Sequence, residues 1–121
     1  MELTASEPID PTAVASAEEN QLSPPSEQRM RRLLEVLCDP TRLKIVRALR
    51  DNQLAASDLA RVLGRSRSAT SQHLRVLREA DIVQPARAGN VVRYRIASDL
   101  NAEILEDIGR AFDKLEPSAA V

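Results

Sequence analysis

Hydrophobic and polar positions follow a helical period over two adjacent segments in the middle of the chain. In the first, Leu59, Val62 and Leu63 fall at the i, i+3, i+4 spacing that places apolar side chains on one helix face. Ser57 before this segment is a good N-cap, and Gly64 is favourable just past a helix end. Because only one residue separates that glycine from the next serine N-cap, the pattern predicts two helices joined by a tight turn, which is typical of a helix-turn-helix.

The second helix, predicted over residues 66–79, has two chemically different faces. Its core-facing side carries Thr70, His73, Leu74 and Leu77 at i, i+3, i+4, i+7 spacing. The opposite face offers hydroxyl, amide and guanidinium groups on Ser68, Ser71, Gln72, Arg75 and Arg78. Such groups read base edges and phosphates in a DNA major groove. We interpret this face as a DNA-reading surface; the alternative is an ordinary solvated helix face.

Three further helices are predicted around this motif. The first runs from Ser26 to about Cys38 and has an apolar stripe at Met30, Leu33, Leu34 and Leu37. Asp39-Pro40, an N-cap followed by proline, begins a second helix that ends near Arg50. Ser98-Asp99 caps a last helix with a long stripe at Leu100, Ile104, Ile108, Ala111, Phe112 and Leu115. A chain this short has little core to cover both stripes, so we expect them to face a second copy; the alternative is that both helices pack on their own domain.

Residues 82–96 change to a period of two. Val92, Tyr94 and Ile96 alternate with Arg93 and Arg95, which predicts a half-buried strand, and Gly89-Asn90 predicts a hairpin turn before it. A basic hairpin directly after a DNA-reading helix is a wing. The predicted fold class is therefore mainly α with a small β-hairpin wing: a dimeric winged helix-turn-helix of five helices and two wing strands.

The charges are segregated along the chain, although the net charge is only −1. Residues 1–25 hold five acidic residues, no Lys or Arg, and four of the seven prolines, so we interpret them as a disordered acidic arm. The folded domain is predicted over 26–115, followed by a tail over 116–121. From Arg42 to Arg95 there are 12 basic and four acidic residues, the footprint of a phosphate-binding module. The arm could compete with DNA for this basic centre.

Composition excludes several other classes of protein. No apolar run approaches the roughly 20 residues of a membrane span, and the N-terminus lacks the pattern of a signal peptide. With one cysteine and no internal disulfide, we expect a cytoplasmic protein with no membrane partner. One histidine, one cysteine and no Ser-His-Asp or metal constellation argue against an enzyme.

Four motifs together resemble the ArsR/SmtB family of bacterial transcriptional repressors, over about residues 28–112. They are Cys-Asp-Pro-Thr-Arg-Leu-Lys-Ile at 38–45, Asp-Leu-Ala at 58–60, Ser-Gln-His-Leu-Arg-Val-Leu-Arg-Glu-Ala at 71–80, and Arg-Tyr-Arg-Ile at 93–96. The resemblance implies a homodimeric winged helix-turn-helix that binds operator DNA and, in many members, releases it on binding an inducer such as a metal ion. It also implies dimerisation through the first and last helices.

These observations give two sets of candidate residues. The predicted DNA contacts are Ser66, Arg67, Ser68, Ser71, Gln72, Arg75, Arg78, Arg87, Arg93 and Arg95. The predicted dimer contacts are Met30, Leu33, Leu34, Leu37, Leu100, Ile104, Ile108 and Phe112. We expect Ser68, Ser71, Gln72 and Arg75 to read bases and the others to touch phosphate or the minor groove. Twofold symmetry then requires an inverted-repeat operator.

The metal-sensing residues of the resembled family do not carry over. Ala55 and Ser57 stand where its thiolate site has cysteines, and the last helix has no histidine. Any metal ligands are therefore unknown. One alternative is a divalent metal bound by carboxylates of the last helix, at Asp99, Glu103, Glu106 and Asp107.

Two further alternatives stay open at this point. A partner protein could sense the signal, or the winged helix could itself be a protein-interaction module. We expect Cys38 to be a small buried residue rather than a redox sensor, and His73 to be structural rather than a ligand.

Overall fold

A computed structural model describes residues 6–97 and 100–117 of the chain, leaving out the side chains of residues 100 and 101. The chain forms two compact units, residues 1–31 and 32–121. The described part contains six helices and three strands, in the order α1 (Pro11–Glu19), α2 (Pro24–Leu37), α3 (Pro40–Ala48), β1 (Leu54–Ala55), α4 (Ala56–Leu63), α5 (Arg67–Glu79), β2 (Val83–Ala88), β3 (Val91–Ile96) and α6 (Leu100–Asp113). The prediction of a mainly helical chain with a small β-element is confirmed.

The helix α1 lies within residues 1–25, which were predicted to be a disordered acidic arm, and it makes six helices in the described part where five were predicted. Asp10 caps this helix by accepting a hydrogen bond from the backbone N–H of Ala13 at 3.0 Å, and Pro11 occupies the first turn. The same Asp-Pro pattern that predicts the start of α3 is therefore present here, at Asp10-Pro11. Every residue of α1 is exposed, so local capping rather than burial favours the helix.

The core of the second unit is built from aliphatic side chains on α3, α4 and α5 and at the start of the wing. Ile45 of α3 and Leu49, which directly follows this helix, are 0% and 2% exposed, and Leu59, Leu74 and Leu77 are 0–1% exposed. Ile82 and Val83 close this core from the chain that leads into β2. The two helices of the helix-turn-helix are therefore fixed by their buried sides.

The start of α3 is organised by Asp39. Its Oδ1 accepts hydrogen bonds from the backbone N–H of Thr41 at 2.8 Å and of Arg42 at 3.3 Å, as the Asp-Pro pattern predicted. Burial alone would raise the pKa of Asp39, but those hydrogen bonds and the nearby charges of His73 and Arg42 lower it below its usual value. The cap is therefore strongest when Asp39 is ionised.

The sheet has three strands in the order β1-β3-β2, one more than the two-stranded wing that was predicted. The additional strand is two residues long and pairs Leu54 with Tyr94 and Ala55 with Arg93. Two residues are too few to show a period in sequence, and β1 forms through backbone pairing with a distant strand. The predicted turn is confirmed, because Gly89-Asn90 joins Ala88 to Val91 in register.

One carboxylate ties the last helix to α3 and to the turn that follows α3. Asp113 accepts hydrogen bonds from Arg50 Nη1 at 2.7 Å and Arg47 Nη2 at 3.0 Å. These bonds, together with both positive charges, lower the pKa of Asp113 despite some desolvation. The predicted cap of this helix, Ser98-Asp99, lies outside the described residues. Among the described helices, none has the length and apolar character needed to cross a membrane.

Candidate nucleic-acid interface

The turn between α4 and α5 has the geometry that its sequence predicted. Gly64 adopts a left-handed conformation with φ of +64° and donates to the carbonyl of Arg61, while the N–H of Arg65 bonds back to Ala60 at 3.1 Å. This paired pattern is a Schellman motif, which satisfies the last carbonyls of α4 and reverses the chain. The glycine therefore sets the angle at which α5 leaves α4.

The helix α4 differs from the prediction in its start and in one residue of its apolar face. The helix begins at Ala56 with Ala55 as N-cap and no side-chain capping bond, so Ser57 lies inside the first turn. Because β1 runs directly into the helix, the backbone path fixes the start without a polar cap. Val62, predicted for the apolar face, is 63% exposed, since the buried side is centred on Leu59 and Ala60.

The helix α5 is anchored on one side and open on the other. Ser66 Oγ accepts from the backbone N–H of Ala69 at 3.0 Å, which confirms the predicted N-cap. Thr70, Leu74 and Leu77 are buried, and His73 is half-buried beside them. The Thr70 hydroxyl donates to the backbone carbonyl of Ser66 at 2.9 Å, so this buried polar group is satisfied.

The outer face of α5 is exposed along its full length. Every polar residue predicted for base or phosphate contact on this helix is exposed: Arg67, Ser68, Ser71, Gln72, Arg75 and Arg78. Arg75 Nε donates to Glu79 Oε1 at 3.1 Å, with the two side chains 80% and 63% exposed. Exposed ion pairs of this kind contribute little, about 0–1 kcal/mol, so Arg75 is readily released. We call these six residues the α5 outer face.

The wing arginines do not lie on one side of the sheet. Arg87 is paired with Val92, whereas Arg93 is paired with Ala86. Because cross-strand partners share a face and neighbours alternate, Arg87 lies on the opposite face from Arg93 and Arg95. All three are exposed, but Arg95 also lines a cavity bordered by α3 and α6. The structure thus separates wing residues that the sequence grouped together.

A hydrogen bond that the sequence did not predict ties α2 to α5. Arg32 Nη2 donates to the backbone carbonyl of Glu79, the last residue of α5, at 2.7 Å. No local sequence pattern pairs two residues so far apart. The position of Arg32 beside the apolar face of α2 is only a weak indication that its side chain contacts another element. Arg61 and Arg65, on and just after α4, are further exposed cations of the helix-turn-helix that were not assigned a role.

The predicted dimer residues fall into two groups. Leu33 and Leu37 are 8% and 7% exposed and belong to the core of their own chain. Leu34 and Phe112 are 60% and 37% exposed, and Met30 is also exposed. Ile104 and Ile108 are half-buried, while the side chain of Leu100 lies outside the described residues. Leu115 beyond α6 is 76% exposed, so the unpartnered apolar surface extends past the predicted set.

Cys38 corrects an expectation, because it is exposed rather than buried. Its thiol donates to the backbone carbonyl of Glu35 at 3.1 Å. The cysteine directly follows Leu37, the buried last residue of α2.

The acidic residues of α6 form no compact ligand set within the described ranges. Glu106 lies 3.9 Å from Arg110, and Asp107 forms a close ion pair with the same guanidinium. Glu103 is exposed, and Asp99 lies outside the described residues. Across residues 6–97 and 100–117, no three His, Cys, Asp or Glu side chains are grouped as a metal site would require. A carboxylate-bound metal stays a prediction.

Comparison with known proteins points to one family. The family described as "Bacterial regulatory protein, arsR family" matches residues 39–84, the segment that contains α3, α4 and α5. The HTH-type transcriptional regulator NmtR of Mycobacterium tuberculosis is 38% identical over 74 residues, which are 61% of this chain and 62% of that protein. The chain thus aligns with about three fifths of that relative's length. The transcriptional repressor SdpR of Bacillus subtilis is 31% identical over 78 residues, 64% of this chain and 82% of that repressor.

Solved structures agree on the fold. The winged helix-turn-helix domain of Mb0332 from Mycobacterium bovis, described as homodimeric and DNA-binding, superposes with a TM-score of 0.67 at 22% identity, covering 79% of this chain and 91% of that domain. The relatives are named as regulators and not as enzymes, in agreement with the argument against catalysis. Motifs, fold and relatives converge: the chain belongs to the ArsR family of bacterial regulatory proteins.

Proposed function

We propose that the protein is a homodimeric, sequence-specific DNA-binding transcriptional repressor. The single observation that carries this proposal is the α5 outer face, a continuous exposed row of hydroxyl, amide and guanidinium groups on a helix whose other side is buried. In this proposal Ser68, Ser71, Gln72 and Arg75 read base edges in the major groove. The name of SdpR as a repressor supports the direction of regulation.

The wing and the N-terminus of α5 supply backbone contacts in this proposal. Arg67 and Arg78 flank the base-reading residues. Arg87 lies one pair away from the Ala88–Val91 pair that closes the hairpin, where it would reach phosphate or the minor groove. Ser66 and the free N–H groups at the start of α5 add a phosphate contact. Arg93 and Arg95 project from the other face of the wing, so we assign them a secondary, electrostatic role.

Dimerisation is proposed through the exposed apolar side chains of α2 and α6. Leu34, Ile104, Ile108 and Phe112 form the proposed contact, extended by Leu115, while Leu33 and Leu37 support it from the core. Mb0332, which shares this fold, is described as homodimeric, and this supports a dimer. Two copies related by a twofold axis would place their α5 helices in successive major grooves, about 34–36 Å apart, on an inverted repeat.

Fluorescence anisotropy tests the proposal directly. A labelled duplex from the promoter region of its own gene is titrated with the protein at two salt concentrations, with and without divalent metal ions. We expect saturable binding with two chains per duplex, about 10³-fold tighter than to random DNA. Sedimentation velocity on the free protein should show a dimer. Equal affinity for promoter and random duplexes would instead favour a protein-interaction module.

A further inference from the structure

A cavity of about 340 Å³ lies between α3, the turn that follows it, the end of β3 and α6. Its volume falls within the range of about 300–1,000 Å³ typical of small-molecule sites. Leu49, Ile96 and Leu105 supply apolar surface from three different elements. Among the residues that line it, none belongs to α5, so this cavity is distinct from the α5 outer face.

The charged groups of the cavity favour a ligand with one negative charge. Three arginines, Arg47, Arg50 and Arg95, and two acidic residues, Asp51 and Glu106, are among the lining residues. With Asp113 displaced from Arg47 and Arg50, the lining has three basic and two acidic residues, which is one excess positive charge. Guanidinium groups bind carboxylates in directed, charge-assisted pairs, and the apolar wall suits a hydrocarbon body.

In this structure the carboxylate of Asp113 forms ion pairs with two of these arginines. Asp113 lies 2.7 Å from Arg50 and 3.0 Å from Arg47, with the three side chains 33–45% exposed. Partly exposed pairs are weak, so a second carboxylate can exchange with the first. Gly109 leaves room here, since the nearest atom to a Cβ built on it would be Arg50 Nη1 at 3.7 Å.

We propose that this cavity binds a small organic monocarboxylate, whose apolar part packs against Leu49, Ile96 and Leu105 and whose carboxylate replaces Asp113 on Arg50 and Arg47. The Arg47–Asp113 and Arg50–Asp113 bonds tie the end of α6 to α3 and the turn that follows it, and Ile96 ends a wing strand. An occupant would therefore shift α6 and the wing together. Its consequence, a lower affinity for operator DNA, rests on the proposed function; the binding itself does not.

The test uses the full chain and three aromatic probes, without DNA. Two-dimensional ¹H–¹⁵N spectra are recorded during titration with benzoate, with phenylacetate, and with benzyl alcohol as the neutral counterpart. We expect saturable shifts at residues 47–53, 95–96 and 102–109 for the two carboxylates, and affinity lower by about tenfold for the alcohol.

Variants then assign the anion to its partners. Arg50→Gln should weaken benzoate binding by about tenfold, whereas Asp113→Asn should strengthen it severalfold because the competing carboxylate is gone. Arg61→Gln, at an exposed arginine on α4 outside the cavity, is the matched control and should leave the affinity unchanged. Thermal melting checks that each variant is folded.

Three results would overturn the proposal: no saturable shifts with either carboxylate, equal affinity for benzyl alcohol, or weaker benzoate binding by Asp113→Asn. Anisotropy with promoter DNA is measured separately. If benzoate binds as expected but promoter DNA does not, the cavity assignment stands and the repressor proposal fails. If DNA binds specifically and neither carboxylate shifts the spectrum, only the cavity assignment fails.

Discussion

The guanidinium of Arg32 donates a 2.7 Å hydrogen bond to the backbone carbonyl oxygen of Glu79, the final residue of α5. The carbonyls at a helix C-terminus lack intrahelical partners and carry the negative end of the helix dipole. A cation bound there both satisfies a carbonyl and fixes the end of the helix. The proposed DNA-reading helix is thus held at its start by the Ser66 cap and at its end by Arg32.

Replacing Arg32 should loosen this end of α5. We expect Arg32→Ala to lower the free energy of unfolding by about 1 kcal/mol and to weaken promoter binding more than random-DNA binding. Urea denaturation and anisotropy measure the two effects. Arg31→Ala removes the same charge one position earlier; if it has the same effects as Arg32→Ala, the hydrogen bond to Glu79 is not their cause.

Gln72 and Arg87 should separate base reading from general affinity. Loss of a base contact costs about 1–3 kcal/mol of discrimination, so Gln72→Ala should reduce the ratio of promoter to random-DNA affinity by about tenfold or more. Arg87→Ala should weaken binding to all sequences and lower the salt slope by about one. Gln28→Ala, an exposed glutamine on α2, is the control. Equal losses on promoter and random DNA for Gln72→Ala would contradict base reading.

Glu79 restrains Arg75 in the free protein. Because the Arg75–Glu79 pair is exposed and must open for Arg75 to reach DNA, Glu79→Gln should tighten binding severalfold at low salt. The gain should shrink at high salt, where charges are screened. Glu103→Gln on α6 removes an equal charge elsewhere and should have a smaller effect. An unchanged affinity for Glu79→Gln would place Arg75 away from the DNA.

The Asp39 cap predicts a pH dependence of stability. Because folding lowers the pKa of Asp39 from its ordinary 3.8, its stabilisation is complete above that value and is lost as the pH falls through the lowered pKa. Asp39→Ala should cost about 1 kcal/mol at neutral pH and less at about pH 3. Asp39→Asn keeps a good cap without a charge and should lack this dependence. A cost for Asp39→Ala that is equal at both pH values would contradict the mechanism; denaturant unfolding at each pH measures it.

Two glycines should respond to alanine with opposite signs. Gly109 lies inside α6, where a Cβ meets only Arg50 at ordinary contact distance, so Gly109→Ala should stabilise the fold by about 0.5–1 kcal/mol. Gly64 has a φ of +64°, so Gly64→Ala should destabilise it by about 1–2 kcal/mol although nothing blocks the side chain. Chemical denaturation of both variants checks the signs. Destabilisation by Gly109→Ala would mean that the Cβ displaces Arg50.

The predictable parts of this molecule are those fixed by neighbouring residues. The Ser66 cap, the Gly64 turn, the Asp39-Pro40 start and the Gly89-Asn90 hairpin each depend on a few adjacent residues with specific backbone preferences. The exposed row along α5 follows equally well from helical period alone, since its buried side was evident from apolar spacing.

The parts that escaped prediction depend on residues distant in sequence. The strand β1 exists because Tyr94 and Arg93 offer it a backbone partner, and the tie from Arg32 reaches across 47 positions. The split of the wing arginines between two faces required the strand register, which composition does not supply. The α3–α6 cavity likewise forms where four parts of the chain meet, and no local sequence pattern predicts it.

Proline in the outermost strand has a consequence for how the protein behaves at high concentration. Pro85 lies in the middle of β2, which is at the open edge of the three-stranded sheet. Proline is tolerated in an edge strand where its nitrogen faces away from the ladder, and there it removes a donor that another strand would need. Together with the cationic side chain of Arg87 on the same strand, it discourages edge-to-edge aggregation. We therefore expect the exposed wing not to pair its edge strand with that of another copy of the chain.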